Sequence, residues 1–170
     1  MAARSSPAEP GFRGPIVYKL VGITYRQLDY WTRTGLVVPS VREAQGSGTQ
    51  RLYSFNDLLQ LKVIKNLLEA GASLQKVRQA IDYVRAHLEG DWSKLTIVAD
   101  GGGVYACTSD AEVVDLLRSG QGVLGAVVAV DKVRDQLTGT LRRFPGEKAV
   151  TGLSQEDGSG DRRGARAGER

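Results

Sequence analysis

The chain carries two helix stops in quick succession. Gly22 and Gly35 bracket the segment ITYRQLDYWTRT, and just inside the first stop Thr24 stands three residues before Gln27. That spacing makes a capping box: the threonine hydroxyl accepts an orphan amide, and the glutamine reaches back to the cap. Glycine past the last turn supplies the left-handed residue that closes a helix. A helix is therefore expected from about Thr24 to near Gly35. Ahead of it, Pro15 suits a first helical turn, where its missing N–H costs nothing. IVYKLV, residues 16–21, reads as a short helix ending at Gly22. Two short helices joined this tightly form a helix-turn-helix.

Beyond Gly35, Pro39 blocks helix. VVPSVRE and TQRLYS flank the flexible AQGSG, a β-hairpin pattern with a glycine-rich tip. Ser54 and Asp57 repeat the capping spacing. Leu58, Leu61, Ile64 and Leu68 then share a helical face, widened by Leu59, Val63 and Leu67. EAGAS ends that helix and Ser73 can cap the next. Leu74, Val77, Ile81, Val84 and Leu88 form its apolar seam as far as Gly90, a seam suited to packing against the 57–70 helix. The pattern then changes. KLTIVAD and VYAC read as strands around a glycine turn, Ser109 and Glu112 open a helix DAEVVDLLRS closed by Gly120 and Gly122, VLGAVVAV reads as a buried strand, and DKVRDQLTGTL as a last helix. Residues 1–13 and 145–170 are polar or glycine-rich without apolar periodicity and are expected to be disordered.

Charge divides the chain. Residues 11–57 hold six cations against three anions, residues 58–88 five against two, and residues 89–146 six against eight. A basic half joined to a mildly acidic half suggests that the first meets an anion. No apolar run approaches the roughly 20 residues of a membrane span, and the N-terminus lacks the apolar core of a secretory signal. A cytoplasmic, nucleoid-associated protein is expected. Cys107 is the single cysteine and His87 the single histidine. No disulfide, cysteine zinc cluster or histidine pair can form within one chain, and no nucleophile–base pair stands out. ADGGGVY lacks the lysine and spacing of a phosphate-binding loop. Cys107 reads as a small buried apolar residue. The expectation is no enzyme, no cofactor and no metal.

Helix, turn, helix, wing, helix, helix is a winged-helix order, and the local words resemble the DNA-binding domain of the MerR family of bacterial transcription regulators. The resemblance rests on Thr24, Arg26, Tyr30 with Trp31, Gly35 with Leu36, Pro39, Arg51 with Tyr53, Asp57 with Leu58, and AGASL at 70–74, and covers roughly residues 15–85. Two positions depart from the family pattern. Asp29 stands where arginine is usual, and Thr32 where an acid is usual. Asp29 can accept from a base amino group or pair with Arg33, four residues on. The family's long dimerising coiled coil is replaced by the α/β pattern after Leu88, so ligand binding beside such a coil does not carry over.

The expected class is mainly α with small β elements. A winged helix-turn-helix of four helices plus a β-hairpin wing occupies 14–90, and a small α/β dimerisation or effector unit occupies 91–144. The second helix is the recognition candidate. Thr24 can bond a phosphate at its N-terminus. Arg26 can reach guanine O6 and N7, and Gln27 can read adenine unless the capping box holds it. Tyr25, Tyr30 and Arg33 can reach backbone or base edges, and Trp31 divides between core and phosphate. Arg42, Gln50 and Arg51 lie on the wing, where arginine tracks phosphates or enters the minor groove, and Tyr53 closes the set. The resemblance implies double-stranded DNA as partner, a homodimer on a pseudo-palindromic promoter site, and action with RNA polymerase at that promoter. An architectural, excisionase-like DNA binder and a winged-helix protein-interaction module are the alternatives.

Overall fold

A computed structural model describes residues 10–44, 46, 48–87, 92–100, 103–112, 124–143 and 150–151. Strand β1 (Pro10–Arg13) leads directly into helix α1 (Gly14–Val21), with Pro15 in its first turn. Gly22 ends α1 in the left-handed region at φ 78°, its N–H donating to the Tyr18 carbonyl. Helix α2 (Tyr25–Arg33) starts at the Thr24 capping box, both halves of which are formed. The left-handed Gly35 follows at φ 74°. Strand β2 (Leu52–Tyr53) precedes α3 (Phe55–Glu69), which opens on the Ser54–Asp57 capping box. Helix α4 (Leu74–His87) begins with the Lys76 N–H donating to Ser73 Oγ, and it packs against α3.

A 3-10 turn, Trp92–Lys94, leads into β3 (Thr96–Asp100) and β4 (Val104–Cys107), which pair antiparallel. Strand β5 (Leu124–Ala129) pairs antiparallel on the other side of β3, giving the order β4-β3-β5. Helix α5 (Val130–Arg143) follows without a break. Residues 110–112 are helical, with the Glu112 N–H donating to Ser109 Oγ. The rest of the helix expected there, with Gly120 and Gly122, lies outside the described residues, as do Leu88 and Gly90. Cys107 is buried, and burial pushes its thiol pKa up.

Three expectations need correction. Residues 10–13 are a strand: Phe12 pairs with Tyr53 and Arg13 with Leu52, and the side chain of Phe12 is buried. Composition suggested disorder, but one apolar side chain and a waiting strand edge suffice to order the segment. A further strand, β6 (Val150–Thr151), pairs with the start of β1 from within the other segment read as disordered; residues 1–9 and 152–170 lie outside the described residues. The wing is less regular than a hairpin. Arg42 and Leu52 form one isolated bridge, and β2 pairs with β1. Gly46 and Gly48 at the wing tip adopt left-handed φ of 84° and 99°.

The division near residue 90 is also not a break in packing. Leu20, Trp31, Leu58 and Ile64 share one core with Trp92, Ile97, Val133 and Leu137. Helix α5 lies against α1 and α3. The sheet and last helix therefore complete the core of the helix-turn-helix and help fix its orientation.

Candidate nucleic-acid interface

Helix α2 turns Leu28 and Trp31 inward, three positions apart on one face. The opposite face carries Tyr25, Arg26, Tyr30 and Arg33 into solvent. Tyr25 is 66% exposed and Tyr30 46%. Tyr25 is steadied edge-on against Tyr18 on α1, ring centroids 6.5 Å apart. Arg26, Tyr30 and Arg33 recur at spacings of four and three, so they form one row along the helix. Aromatic and basic side chains are thus interleaved on the outward surface of α2.

Gln27 is held by the capping box. Its Oε1 accepts from the Thr24 N–H at 2.9 Å, and its own N–H donates to Thr24 Oγ1 at 3.1 Å. Base reading by Gln27 would require opening that box. Trp31 and Tyr53 are corrections to the expected contact set. They are 3% and 1% exposed. Trp31 follows Leu28 by three residues and so shares its inward phase, a signal present in the sequence. The Tyr53 hydroxyl bonds Thr32 Oγ1 at 2.9 Å, tying β2 to α2. Burial raises the Tyr53 phenol pKa, against the lowering effect of that hydrogen bond and of Arg51.

The wing is fastened at both ends. At its start, Ser40 donates from its N–H and its hydroxyl to Asp57 Oδ2, both at 2.8 Å, and the same carboxylate accepts the Ser54 N–H. Asp57 is itself buried. Within the wing, Arg42 Nε donates to the Gln50 carbonyl at 3.2 Å. At its far end, Arg51 Nη1 donates to Asp29 Oδ1 at 3.1 Å, and Asp29 Oδ2 faces Arg33 Nη2 at 3.6 Å. Desolvation lowers the Arg51 pKa, but the hydrogen bond to Asp29 and the charges of Tyr53 and Asp29 outweigh it, so the guanidinium is held above its usual value. Tyr25, Asp29, Gln50 and Arg51 line a cleft of about 290 Å³ between α2 and the wing.

Part of the basic charge serves the fold instead. Arg78 donates to the Thr34 carbonyl and Thr34 Oγ1 at 2.8 and 2.9 Å. Arg85 donates to the carbonyls of Gly35 and Leu36. Both arginines thus sit at the C-terminal, negative end of the α2 dipole. Lys62 Nζ donates to the Val21 carbonyl at the end of α1. Burial, with Lys65 nearby, lowers the Lys62 pKa, and burial likewise lowers that of Arg85. Charge counting cannot separate these cations from those that face outward. Among the described residues there is no cluster of three metal-ligating side chains, and no helix is long and apolar enough to cross a membrane.

Helices α1 and α2, the wing, α3 and α4 form a winged helix-turn-helix. Residues 17–84, from within α1 to within α4, match the model of the MerR HTH family regulatory proteins. The chain is 49% identical over 166 residues to Rv1830, an uncharacterised HTH-type transcriptional regulator of Mycobacterium tuberculosis (strain ATCC 25618 / H37Rv), across 90% of this chain and 73% of that protein. A Mycobacterium bovis regulator, Mb1861, matches equally. The HTH-type transcriptional regulator GlnR of Bacillus anthracis is 35% identical over 72 residues, 42% of this chain and 53% of GlnR. The chain belongs to the MerR family of DNA-binding helix-turn-helix transcription regulators.

Proposed function

We propose that this protein binds a pseudo-palindromic promoter site as a homodimer, placing α2 of each protomer in a major groove and each wing on the flanking backbone. The observation that carries this reading is the outward row of Arg26, Tyr30 and Arg33 beside a wing tied to the same helix through Arg51. Thr24 and the amides around it offer a phosphate seat at the helix N-terminus. Arg26 lies in the exposed row and is the base-reading side chain. Arg33, Arg42, Gln50 and Arg51 contact the backbone, Tyr25 and Tyr30 flank them, and RNA polymerase is the partner at the promoter. The site of action is the nucleoid in the cytoplasm.

Dimerisation through the sheet is supported by β5. Among the described residues it is an edge strand in the order β4-β3-β5, and Val127 on it is 49% exposed. An edge strand offers unpaired backbone groups to a second chain.

The test is selection of duplexes from a random library by the purified protein, followed by anisotropy titration of an enriched duplex and a scrambled one across a salt series. Enrichment of an inverted repeat, bound tighter than the scramble and with affinity falling steeply in salt, is expected. Salt-dependent binding without enrichment would favour the architectural role. No binding at low salt would reject the reading.

A further inference from the structure

The acid on the recognition helix is the least expected residue of the interface. Asp29 lies on the outward side of α2 among Tyr25, Arg26, Tyr30 and Arg33, where a carboxylate would repel phosphate. Its side chain is 29% exposed and ion-paired with two arginines from different elements, Arg33 of its own helix and Arg51 of the wing. The cluster Arg33–Asp29–Arg51 therefore carries one net positive charge where two arginines alone would carry two. Arg51 gives one N–H to Asp29, and its fork retains further donors.

We propose that Asp29 is a specificity-determining positioning residue: it holds the wing arginine Arg51 against the recognition helix so that helix and wing engage DNA as one preset unit. This rests on the DNA-binding reading above. Two consequences follow from the geometry. An arginine fixed in one orientation suits the single docking pose of the preferred site, and its ordering cost is met before binding. The same fixed arginine, partly neutralised, gains less from the variable poses of random DNA. A freed Arg51 would reach phosphates in any register, strengthening non-specific binding most. Specificity is the difference between the two affinities, and Asp29 widens it by lowering the weaker one.

The experiment compares wild type, Asp29→Asn, Arg51→Gln and the double variant on a duplex enriched by the wild-type protein and on its scramble. Asp29→Asn keeps the side-chain shape and removes the charge. Circular dichroism melting establishes that each variant is folded. For Asp29→Asn we expect affinity for the scramble to rise about fivefold or more, with a slope of log affinity against log salt steeper by about one. Preference for the enriched duplex should fall accordingly. In the Arg51→Gln background the same substitution should leave preference unchanged, because the effect passes through Arg51. Unchanged preference in Asp29→Asn, or an equal loss with and without Arg51, would overturn the proposal while leaving DNA binding intact. Failure of the wild-type protein to enrich or bind any duplex would instead reject the reading on which it rests.

Discussion

At the residue scale, the Thr24 hydroxyl accepts the Gln27 N–H at the start of α2. Replacing Thr24 by alanine removes that acceptor and should cost about 1 kcal/mol of stability by denaturant unfolding. The side chains that start helices were legible because their partners are close in sequence: Thr24 with Gln27 and Ser54 with Asp57 interact at a separation of three, which a spacing rule captures. Asp29 and Arg51 are 22 positions apart, and no local pattern joins them. The inward turn of Trp31 was available from its phase with Leu28, yet its aromatic and polar neighbours suggested contact instead. Arg51→Gln should weaken the enriched duplex more than the scramble, because the preset guanidinium fits the preferred pose, and flatten the salt slope by about one, read by anisotropy. An equal loss on both duplexes would make Arg51 a phosphate contact that carries no preference.

At the element scale, the wing is a loop fastened by side chains. Asp57 Oδ2 accepts from the Ser40 amide, the Ser40 hydroxyl and the Ser54 amide, so one buried carboxylate caps α3 and anchors the wing together. Substitution Asp57→Ala would leave those donors without their acceptor. A loss of about 2–3 kcal/mol is expected from urea unfolding; a loss below about 0.5 kcal/mol would mean that the wing start is held by other contacts. The far end of α2 shows the same economy of means. Arg85 bonds the carbonyls of Gly35 and Leu36. Arg85→Ala should destabilise by about 1–3 kcal/mol, with DNA affinity lost only through the altered seating of α2. The four helices and their stops were legible because periodicity and glycine punctuation are local. The β1–β2 pairing was not, because it joins Phe12 to Tyr53 and depends on what the intervening helices bring together.

At the scale of the whole molecule, the chain builds one core from two sequence patterns. The change of pattern after Gly90 marks a change of secondary structure, while packing continues across it. Leu137 on α5 is 1% exposed and belongs to the core that includes Trp31. Leu137→Ala should cost about 2–5 kcal/mol and shift a single unfolding transition. The two tryptophans, Trp31 and Trp92, sit on either side of the change of pattern. Single-tryptophan variants should therefore report coincident midpoints. Separate midpoints would show two independently folding units.

The central claim is that the outward face of α2 reads DNA, and Arg26→Ala on the enriched duplex tests it most directly. Arg26 lies in the exposed row, so the variant should melt as the wild type does. Anisotropy should show specific affinity reduced by roughly 1–3 kcal/mol, with a much smaller loss on the scramble. Undiminished affinity of a folded Arg26→Ala protein for the enriched duplex would contradict the account.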